Sequence, residues 1–268
     1  MSWDTLNASI LLPAFAAGLL VLLTHVPLGI QVLDRGIVFI DLAIAQVAGV
    51  GVIAADALGW EPQGWAVQAA AISAALGGAL LLTVTDKRFP QVQEALIGVL
   101  FILASCVGVL LLANNPHGGE HLKDLLVGQI LWVNSSQLIA MAAVSIAVLL
   151  LWRIAQARAG RVGFYALFAC AVTLSVQLVG VYLVFASLIL PALATRRLVR
   201  RTRVFVGLAM GASAYVIGLI LSAVVDLPSG PVVVLTMAVF AAVTALLMER
   251  FAKTTPAKIS TKGELSAR

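Results

Sequence analysis

Long apolar runs separated by short polar turns are the dominant pattern of this chain. Most runs are close to 20 residues long, which is the length that a helix needs to cross the hydrocarbon core of a bilayer. The pattern predicts an all-α, polytopic transmembrane helical bundle with about 8–9 membrane segments, some of them broken. The segments expected to cross in one piece are residues 10–30, 36–58, 64–85, 92–113, 137–152, 204–225 and 231–248.

The stretch from Gly163 to Thr195 contains 33 residues without a charged side chain, and arginines bracket it on both sides. As one straight helix it would be roughly 50 Å long, too long for one upright crossing and short for two. Because basic flanks favour the cytoplasmic side, a single crossing would place them on opposite sides. We therefore predict an in-and-out pair of short helices that breaks between Gln177 and Gly180 and closes at Pro191. Such a break needs surrounding protein or a water-filled cavity, so the stretch should lie beside a path.

Two other segments differ from the spans. Residues 114–136 begin polar and continue with an apolar part that is too short and too charged to cross, so we expect a half-length or interfacial helix. The turn between the last two spans contains Pro228 and Gly230, where another helix break is expected. The transmembrane permease domain is predicted to cover residues 1–250, followed by a disordered, basic cytoplasmic tail over 251–268.

Composition and charge agree with a membrane protein. Of the 268 residues, 62% are hydrophobic and 11% are charged, whereas soluble domains contain about 25% charged residues. The net charge of +5 would fit nucleic acid binding, but the basic residues lie in short clusters between apolar runs, which is an orientation signal. We therefore expect contact with membrane lipid and none with nucleic acid.

The basic clusters also predict the orientation. Residues 86–90, 153–161, 196–203 and the tail hold most of the 17 basic residues, so these four segments should be cytoplasmic. Working backwards, the N-terminus should lie outside and the C-terminus inside. Residues 1–34 contain no Lys or Arg, so the first apolar run lacks the basic start of a signal peptide and should remain as a helix.

Acidic residues inside apolar spans are candidates for an ion path, because a carboxylate in hydrocarbon is costly and usually faces the bundle interior. Asp41 lies about one turn into the second span, and Gln46 follows about 140° further round the helix. The alternative is that Asp41 stays near the surface and pairs with Arg35. Asp56, near the other end of the span, is expected to be interfacial.

His117, Glu120 and His121 form an H-x-x-E-H pattern, whose spacing occurs in some zinc peptidases. The peptidase arrangement requires a helix, and the intervening Gly118 and Gly119 argue against it. Imidazole and carboxylate side chains suit a divalent ion such as Zn or Mn, so a metal-handling role at an outer vestibule is one interpretation. The other is a solvated loop with its acids near a helix N-terminus.

Five arginines within residues 196–203 exceed what orientation requires. Contact with anionic lipid is the general interpretation. The sharper one is a docking segment for a soluble partner. These arginines are Arg196, Arg197, Arg200, Arg201 and Arg203.

Three sequences in order resemble the membrane subunit of ABC-type zinc and manganese importers. They are LVGVYLVFASLILPALATRRL at residues 178–198, DLPSGPVVVL at 226–235 and EALIGVLF at 94–101. The resemblance extends from about Leu28 to Phe251 and implies a bacterial cytoplasmic membrane location. It also implies a second permease copy or paralogue, two ATP-binding subunits and an extracytoplasmic metal-binding protein. Zn or Mn would be the transported substrate, with no stably bound cofactor.

The resemblance further implies a short coupling helix over Pro191 to Arg203, including Thr195, that docks in a groove of the ATPase. One departure concerns the second span, where the family commonly has an Asp and a His four residues apart. Gln46 stands at the His position and Leu42 at the Asp position, with Asp41 shifted by one. The path would then use Asp41 and Gln46 inside the membrane, with His117, Glu120 and His121 outside it.

The sequence therefore predicts the permease of an ATP-driven importer that moves a divalent transition metal by alternating access, zinc being favoured over manganese or iron. The chain contains no G-x-x-x-x-G-K-[ST] phosphate loop, so a partner subunit would hydrolyse the ATP. One alternative is a secondary metal transporter or channel that works without an ATPase. Another is an intramembrane metalloenzyme built on His117 to His121.

Overall fold

The computed structural model describes residues 8–60, 64–112, 118–158 and 160–254, without the side chains of 118–122, 153–158, 200 and 249–254. Over these ranges the regular elements are ten α-helices and two 3₁₀ turns, Pro90–Val92 and Ile130–Trp132. The α-helices are α1 Ala8–Arg35, α2 Ile40–Ala57, α3 Trp65–Arg88, α4 Gln93–Leu112, α5 Gly118–Val127, α6 Ser135–Arg158, α7 Gly160–Val179, α8 Val181–Ala194, α9 Arg200–Val225 and α10 Ser229–Thr254.

Eight of the described helices are long and apolar enough to cross a membrane, judged by length and composition. α8 is a shorter apolar helix of 14 residues, and α5 has only 10. The predicted all-α bundle with a broken stretch and a half-length helix is therefore confirmed.

Several helices continue past the apolar runs that predict them. α6 extends to Arg158 and α7 starts at Gly160, so the expected loop over 153–161 is wrong. α9 already begins at Arg200, and α10 continues past residue 250 to Thr254, where the tail was expected to have begun. Arg, Lys, Ala and Gln are good helix formers, so the helices continue where the sequence stops being apolar. Hydropathy therefore indicates the edge of the lipid rather than the end of the helix.

The two arginine groups around the long uncharged stretch lie at the same end of the bundle. Arg203 in α9 pairs with Asp34 of α1 at 3.0 Å, and Arg161 in α7 pairs with Asp86 of α3 at 3.3 Å. The guanidinium of Arg35 lies 3.9 Å from the ring centroid of Phe164 in α7. We call this the basic end. The opposite end, where α2 and α7 finish and α3 and α6 begin, is called the far end.

Among the candidate membrane spans of the described residues, those of α2 and α7 are the most buried. α2 packs on α3, α4 and α7, whereas α1 packs on α6, α7, α8 and α9. In α2 and α7, 56% of the apolar span is buried, against 17% in α6 and α10. Large exposed apolar side chains on the outer helices, such as Leu110, Ile139 and Leu235, are suited to contact with lipid acyl chains.

Candidate functional site

The uncharged stretch is interrupted at Gly180, which has a φ of 84° between α7 and α8. Gln177 lies in the last turn of α7. Only the second helix is short, because α7 reaches back to Gly160 and has 20 residues, enough for a full crossing. The expectation of two short pieces is therefore wrong for the first of them. The break lies at the far end, one helix length from the basic end.

Protein backbone encloses this break. A Cβ atom at Gly180 would approach the carbonyl oxygen of Val127 to 2.7 Å, and one at Gly128 would collide with the backbone of Val179 and Gly180. Gly128 also has a positive φ of 72°. The end of α5 thus packs directly on the α7–α8 junction, which satisfies the requirement that irregular backbone in a membrane be surrounded by protein.

The turn after α9 differs from its prediction. Pro228 lies in the connection before α10, as expected for a helix stop, but Gly230 is the second residue of α10. Glycine is needed at position 230 for close packing rather than for a helix break, since a Cβ there would collide with the carbonyl oxygen of Val127. The end of α5 therefore contacts the start of α10 as well as the break.

A cavity of about 690 Å³ lies at the far end, between α2, α3, α4, α5, α6 and α7. Apolar side chains line much of it, and the polar lining consists of carboxylates, amides and one hydroxyl. The polar lining residues are Asp56, Gln68, Asp124, Gln129, Asn134, Ser136, Gln137 and Gln177.

Some of these polar groups already have partners. The Nε2 atom of Gln129 donates to Oδ2 of Asp124 at 3.1 Å. By contrast, Oε1 of Gln68 and Nε2 of Gln177 are buried and have no hydrogen-bond partner among the described residues. Buried polar groups in proteins are usually hydrogen-bonded, so two such atoms in one cavity wall are unusual.

α5 both lines the cavity and approaches α2 one to two turns before the part of α2 that lines it. Leu125 lines the cavity, and a Cβ atom at Gly49 would lie 3.7 Å from its Cδ1 atom. Gln46 lies three residues before Gly49, so it is one turn closer to the basic end on nearly the same helix face. Gln46 is half-buried. Leu125 thus lines the cavity and packs on α2 about one turn from the predicted path residue Gln46.

Asp41 lies at the start of α2, near the basic end. Its side chain is completely buried, and neither carboxylate oxygen has a hydrogen-bond partner among the described residues. The expected alternative, a pair with Arg35, is not formed, because the Arg35 guanidinium stacks on Phe164 instead. Asp41 therefore remains a buried, unpaired acid well away from the far-end cavity.

The predicted metal residues are not brought together into one described cluster. Among the side chains that the structure describes, no three His, Cys, Asp or Glu residues are close enough to hold a metal ion. His117 lies outside the described residues. Glu120 and His121 belong to α5, in the two turns that precede Asp124, but their side chains are not described.

At the basic end, α8 and α9 are joined without a separate coupling helix. Pro191 belongs to α8, which ends at Ala194, and the Thr195 hydroxyl donates to the Pro191 carbonyl at 2.7 Å. Proline has no backbone N–H to donate. Because Pro191 lies in the last turn of α8, most of the helix lies before it and keeps its hydrogen bonds. α9 then begins at Arg200, so the expected helix from Pro191 to Arg203 is wrong.

The arginines of this connection have two different environments. Arg203 is only 8% exposed and is held by Asp34. Arg196, Arg197 and Arg201 are exposed, and Val199 between them is 78% exposed. We call these four residues the basic surface. Arg200 lies among them in the sequence, but its side chain is not described.

Several cavity residues were not singled out from the sequence. Gln68, Gln129, Asn134 and Gln137 each lie just inside or beside a span and look like ordinary interfacial residues. A usable signal was their common position, because the predicted topology places all four residues on the same side of the membrane. Asp56 was expected to be interfacial, and the structure places it in the cavity wall.

Comparison with known proteins agrees with this architecture. The model of the ABC 3 transport family matches residues 7–159 and 156–249. A "Probable metal transport system membrane protein" of Chlamydia muridarum is 23% identical over 218 residues, which is 74% of each chain. The protein of the same description from Chlamydia trachomatis serovar D is 20% identical, again over 74% of each chain.

Among solved structures, PsaBC from Streptococcus pneumoniae in complex with Fab superposes with a TM-score of 0.71. That match covers 91% of this chain and 95% of the other at 22% identity, so it supports the fold. The family model covers most of the chain, so this chain belongs to the ABC 3 transport family.

Proposed function

We propose that this chain is the membrane-spanning subunit of an importer that moves a divalent transition metal into the cytoplasm at the expense of ATP. The energy would come from partner subunits, because the chain contains no phosphate-loop sequence of its own. Zinc, manganese and iron are the candidate substrates. The location would be a bacterial cytoplasmic membrane, as the family resemblance implies, and the charge distribution favours the basic end in the cytoplasm.

The observation that carries this proposal is the course of α8. The helix runs from the break at Gly180, beside the far-end cavity, to Ala194 at the edge of the basic surface. Ser187 in its middle is hydrogen-bonded to Tyr215 of α9 at 3.0 Å, and both side chains are completely buried. A displacement of the basic surface would therefore be passed to the cavity by one packed helix, since such elements shift as units.

The basic surface has the properties of a docking site for an ATPase. It combines exposed arginines with an exposed valine, and arginine is enriched at protein interfaces. Arg203 takes no direct part, because its pair with Asp34 fixes the start of α9 and so positions the surface. We expect two ATP-binding subunits, a second permease copy or paralogue and an extracytoplasmic metal-binding protein to complete the importer.

Charge reversal tests this assignment. In the double variant Arg196→Glu/Arg201→Glu, copurification of the ATPase and ATP-dependent metal uptake should both be lost. Lys123→Glu is the matched control, because it reverses an exposed positive charge in α5 at the far end and should retain both. Retention of the ATPase by the double variant would remove the basic surface from the proposal.

A secondary metal transporter remains the rival, because the buried and unpaired Asp41 would also suit ion-coupled transport. Uptake by wild-type protein reconstituted without any ATPase would favour that rival. Metal-stimulated ATP hydrolysis by the reconstituted complex, measured across several ions, would favour the importer and would also rank its substrates.

A further inference from the structure

One side of α3 faces away from the described part of the bundle. α3 packs on α2 and α7, and the side that it buries carries small residues such as Ala71, Ala75 and Ala79. The opposite side carries large apolar side chains that are between 38% and 61% exposed, namely Leu76, Leu80, Leu81 and Val84. At 100° per residue these four fall within about 140° of the helix surface, so they form one continuous apolar face.

This apolar face ends in two cations at the basic end. Lys87 and Arg88 belong to the last turn of α3, both are exposed, and helical spacing places them in line with Val84. Asp86 lies on the opposite side of the helix, where it pairs with Arg161 of α7 at 3.3 Å. Neither Lys87 nor Arg88 has a hydrogen-bond or ion-pair partner among the described residues. Two positive charges therefore remain beside an exposed apolar surface. We call the four apolar residues and these two cations the outer face of α3.

The length of α3 matches the thickness of a bilayer. Trp65, at the other end of the helix, is 84% exposed. Between Trp65 and Lys87 a helix rises roughly 33 Å, at about 1.5 Å per residue, and the hydrocarbon core of a bilayer is about 30 Å thick. Tryptophan is typical of the membrane boundary, and basic side chains are typical of the headgroup region. The exposed apolar residues therefore lie at the depth of the acyl chains, and the cations lie at the depth of the phosphates.

The outer face also contains a gap. Nothing lies within 4 Å of a Cβ atom added at Gly77, which lies between Leu76 and Leu80 on the same side of the helix. An acyl chain can fill such a gap, and a helix of another protein can approach closely there.

The charges favour the acyl chain over a second copy of this chain. Two copies in one membrane have the same orientation, so a two-fold contact of α3 with α3 would bring both Lys87–Arg88 pairs together. Like charges at short distance repel each other, and no described acid on this face offsets them. A phospholipid with a negative headgroup instead provides the opposite charge together with the apolar part.

We propose that the outer face of α3 is a binding site for an anionic phospholipid. The headgroup phosphate contacts Lys87 and Arg88, and the acyl chains lie along Leu80, Leu81 and Val84. The site shares no residue with the far-end cavity or with the basic surface, and it does not depend on which ion is transported. It adds a lipid contact to the helix that Arg161 joins to α7 at the basic end.

The test is native mass spectrometry of the full-length chain, titrated with phosphatidylglycerol or with phosphatidylcholine of the same acyl chains. The wild type should bind phosphatidylglycerol more tightly. Lys87→Gln/Arg88→Gln should weaken binding of phosphatidylglycerol about 30-fold, since each basic residue contributes about fivefold to attraction by anionic lipid. Binding of phosphatidylcholine, which has no net charge, should stay unchanged. If the double variant binds phosphatidylglycerol as the wild type does, the proposal is wrong.

Arg196→Gln/Arg201→Gln is the matched control, because it removes two exposed positive charges at the same end but outside the outer face of α3. It should bind phosphatidylglycerol as the wild type does. Weakening equal to that of Lys87→Gln/Arg88→Gln would mean that the lipid follows the net charge of the basic end, and α3 would have no site of its own.

Gly77→Leu distinguishes the lipid from a second copy. The variant fills the gap, and it should fold because nothing lies within 4 Å of the added Cβ atom. It should weaken binding of both lipids, since it acts on the acyl chains, and the number of chains in each complex should stay that of the wild type. A wild-type dimer that Gly77→Leu separates into single chains would assign the face to a second copy and overturn the lipid site.

Discussion

The two ends of the bundle are held together by different kinds of contact. At the basic end, charged and polar side chains join the helices, as in the pairs Arg203–Asp34 and Arg161–Asp86. The Nε2 atom of Gln93 in α4 also donates to the Tyr165 hydroxyl of α7 at 3.2 Å. At the far end, by contrast, the backbones of α5, the α7–α8 junction and α10 touch at glycines.

This difference suggests that the two ends have different roles in transport. Side-chain pairs join five helices at the basic end, which we expect to act as one platform for a partner. The far end combines a partly polar cavity with close backbone contacts at glycines. Small residues permit close approach, and closely packed helices can shift against one another. We therefore expect the basic end to transmit motion and the far end to change shape.

The largest effect is expected where the far-end backbones meet. Gly180→Ala adds a Cβ atom 2.7 Å from the Val127 carbonyl oxygen, at a φ of 84° that non-glycine residues rarely adopt. Backbone cannot move aside as a side chain can, so we expect a loss of about 3 kcal/mol or more from strain and overlap together. Thermal unfolding of the purified protein, followed by intrinsic fluorescence, measures it.

Gly59→Ala is the control for this variant. Gly59 has a φ of 77° at the same end, but nothing lies within 4 Å of an added Cβ atom. Only the conformational strain remains, which is about 1–2 kcal/mol. Equal destabilisation by the two variants would mean that the α5 contact does not constrain the break, and the contrast between the ends would lose its main support.

The second effect concerns the basic end. Asp34→Asn leaves the Arg203 guanidinium, whose side chain is 9% exposed, without its partner. Loss of one partner of a buried pair destabilises strongly, but Asp34 is itself 55% exposed, so we expect about 2 kcal/mol. Asp86→Asn should have less than half that effect, because Arg161 is 50% exposed and can be hydrated.

A double variant distinguishes charge from packing. Asp34→Asn/Arg203→Met removes both members of the pair and leaves no buried charge, so it should recover most of the lost melting temperature. If the double variant is no more stable than Asp34→Asn alone, the Arg203 stem rather than its charge holds the basic end together.

The charge and hydropathy patterns of the sequence predict the spans and the break, but the same patterns do not locate the helix ends. The uncharged stretch of α7 and α8 has arginines on both sides, and this charge pattern requires a return to the same end. Helix ends were predicted less well, because α6 and α7 continue through the basic residues around Arg158. Hydropathy cannot detect such extensions, since polar residues such as Arg and Gln are also good helix formers.

The candidate site was predictable only in part. Asp41 draws attention because a carboxylate inside an apolar run is rare. The cavity was not predicted, because its lining comes from six helices and single amides such as Gln68 carry no local signal; only their shared side in the topology could have indicated it. The arginines predicted a docking segment, but the helix bounds Pro191 to Arg203 came from the resemblance; α8 instead ends at Ala194, where the Thr195 hydroxyl bonds to the Pro191 carbonyl.

The smallest effect is expected at Gly49, where α2 faces Leu125 of α5. An added Cβ atom would lie 3.7 Å from Leu125, an ordinary contact distance, and alanine is favoured over glycine inside a helix by roughly 0.5–1 kcal/mol. Gly49→Ala should therefore raise the melting temperature slightly or leave it unchanged. Gly51→Ala, two residues away, should lower it, because its Cβ atom would lie 2.8 Å from the Ala70 carbonyl oxygen of α3. Destabilisation by Gly49→Ala as large as that by Gly51→Ala would show that α5 is packed on α2 as tightly as α3 is, and that the far end has no loosely held element to move.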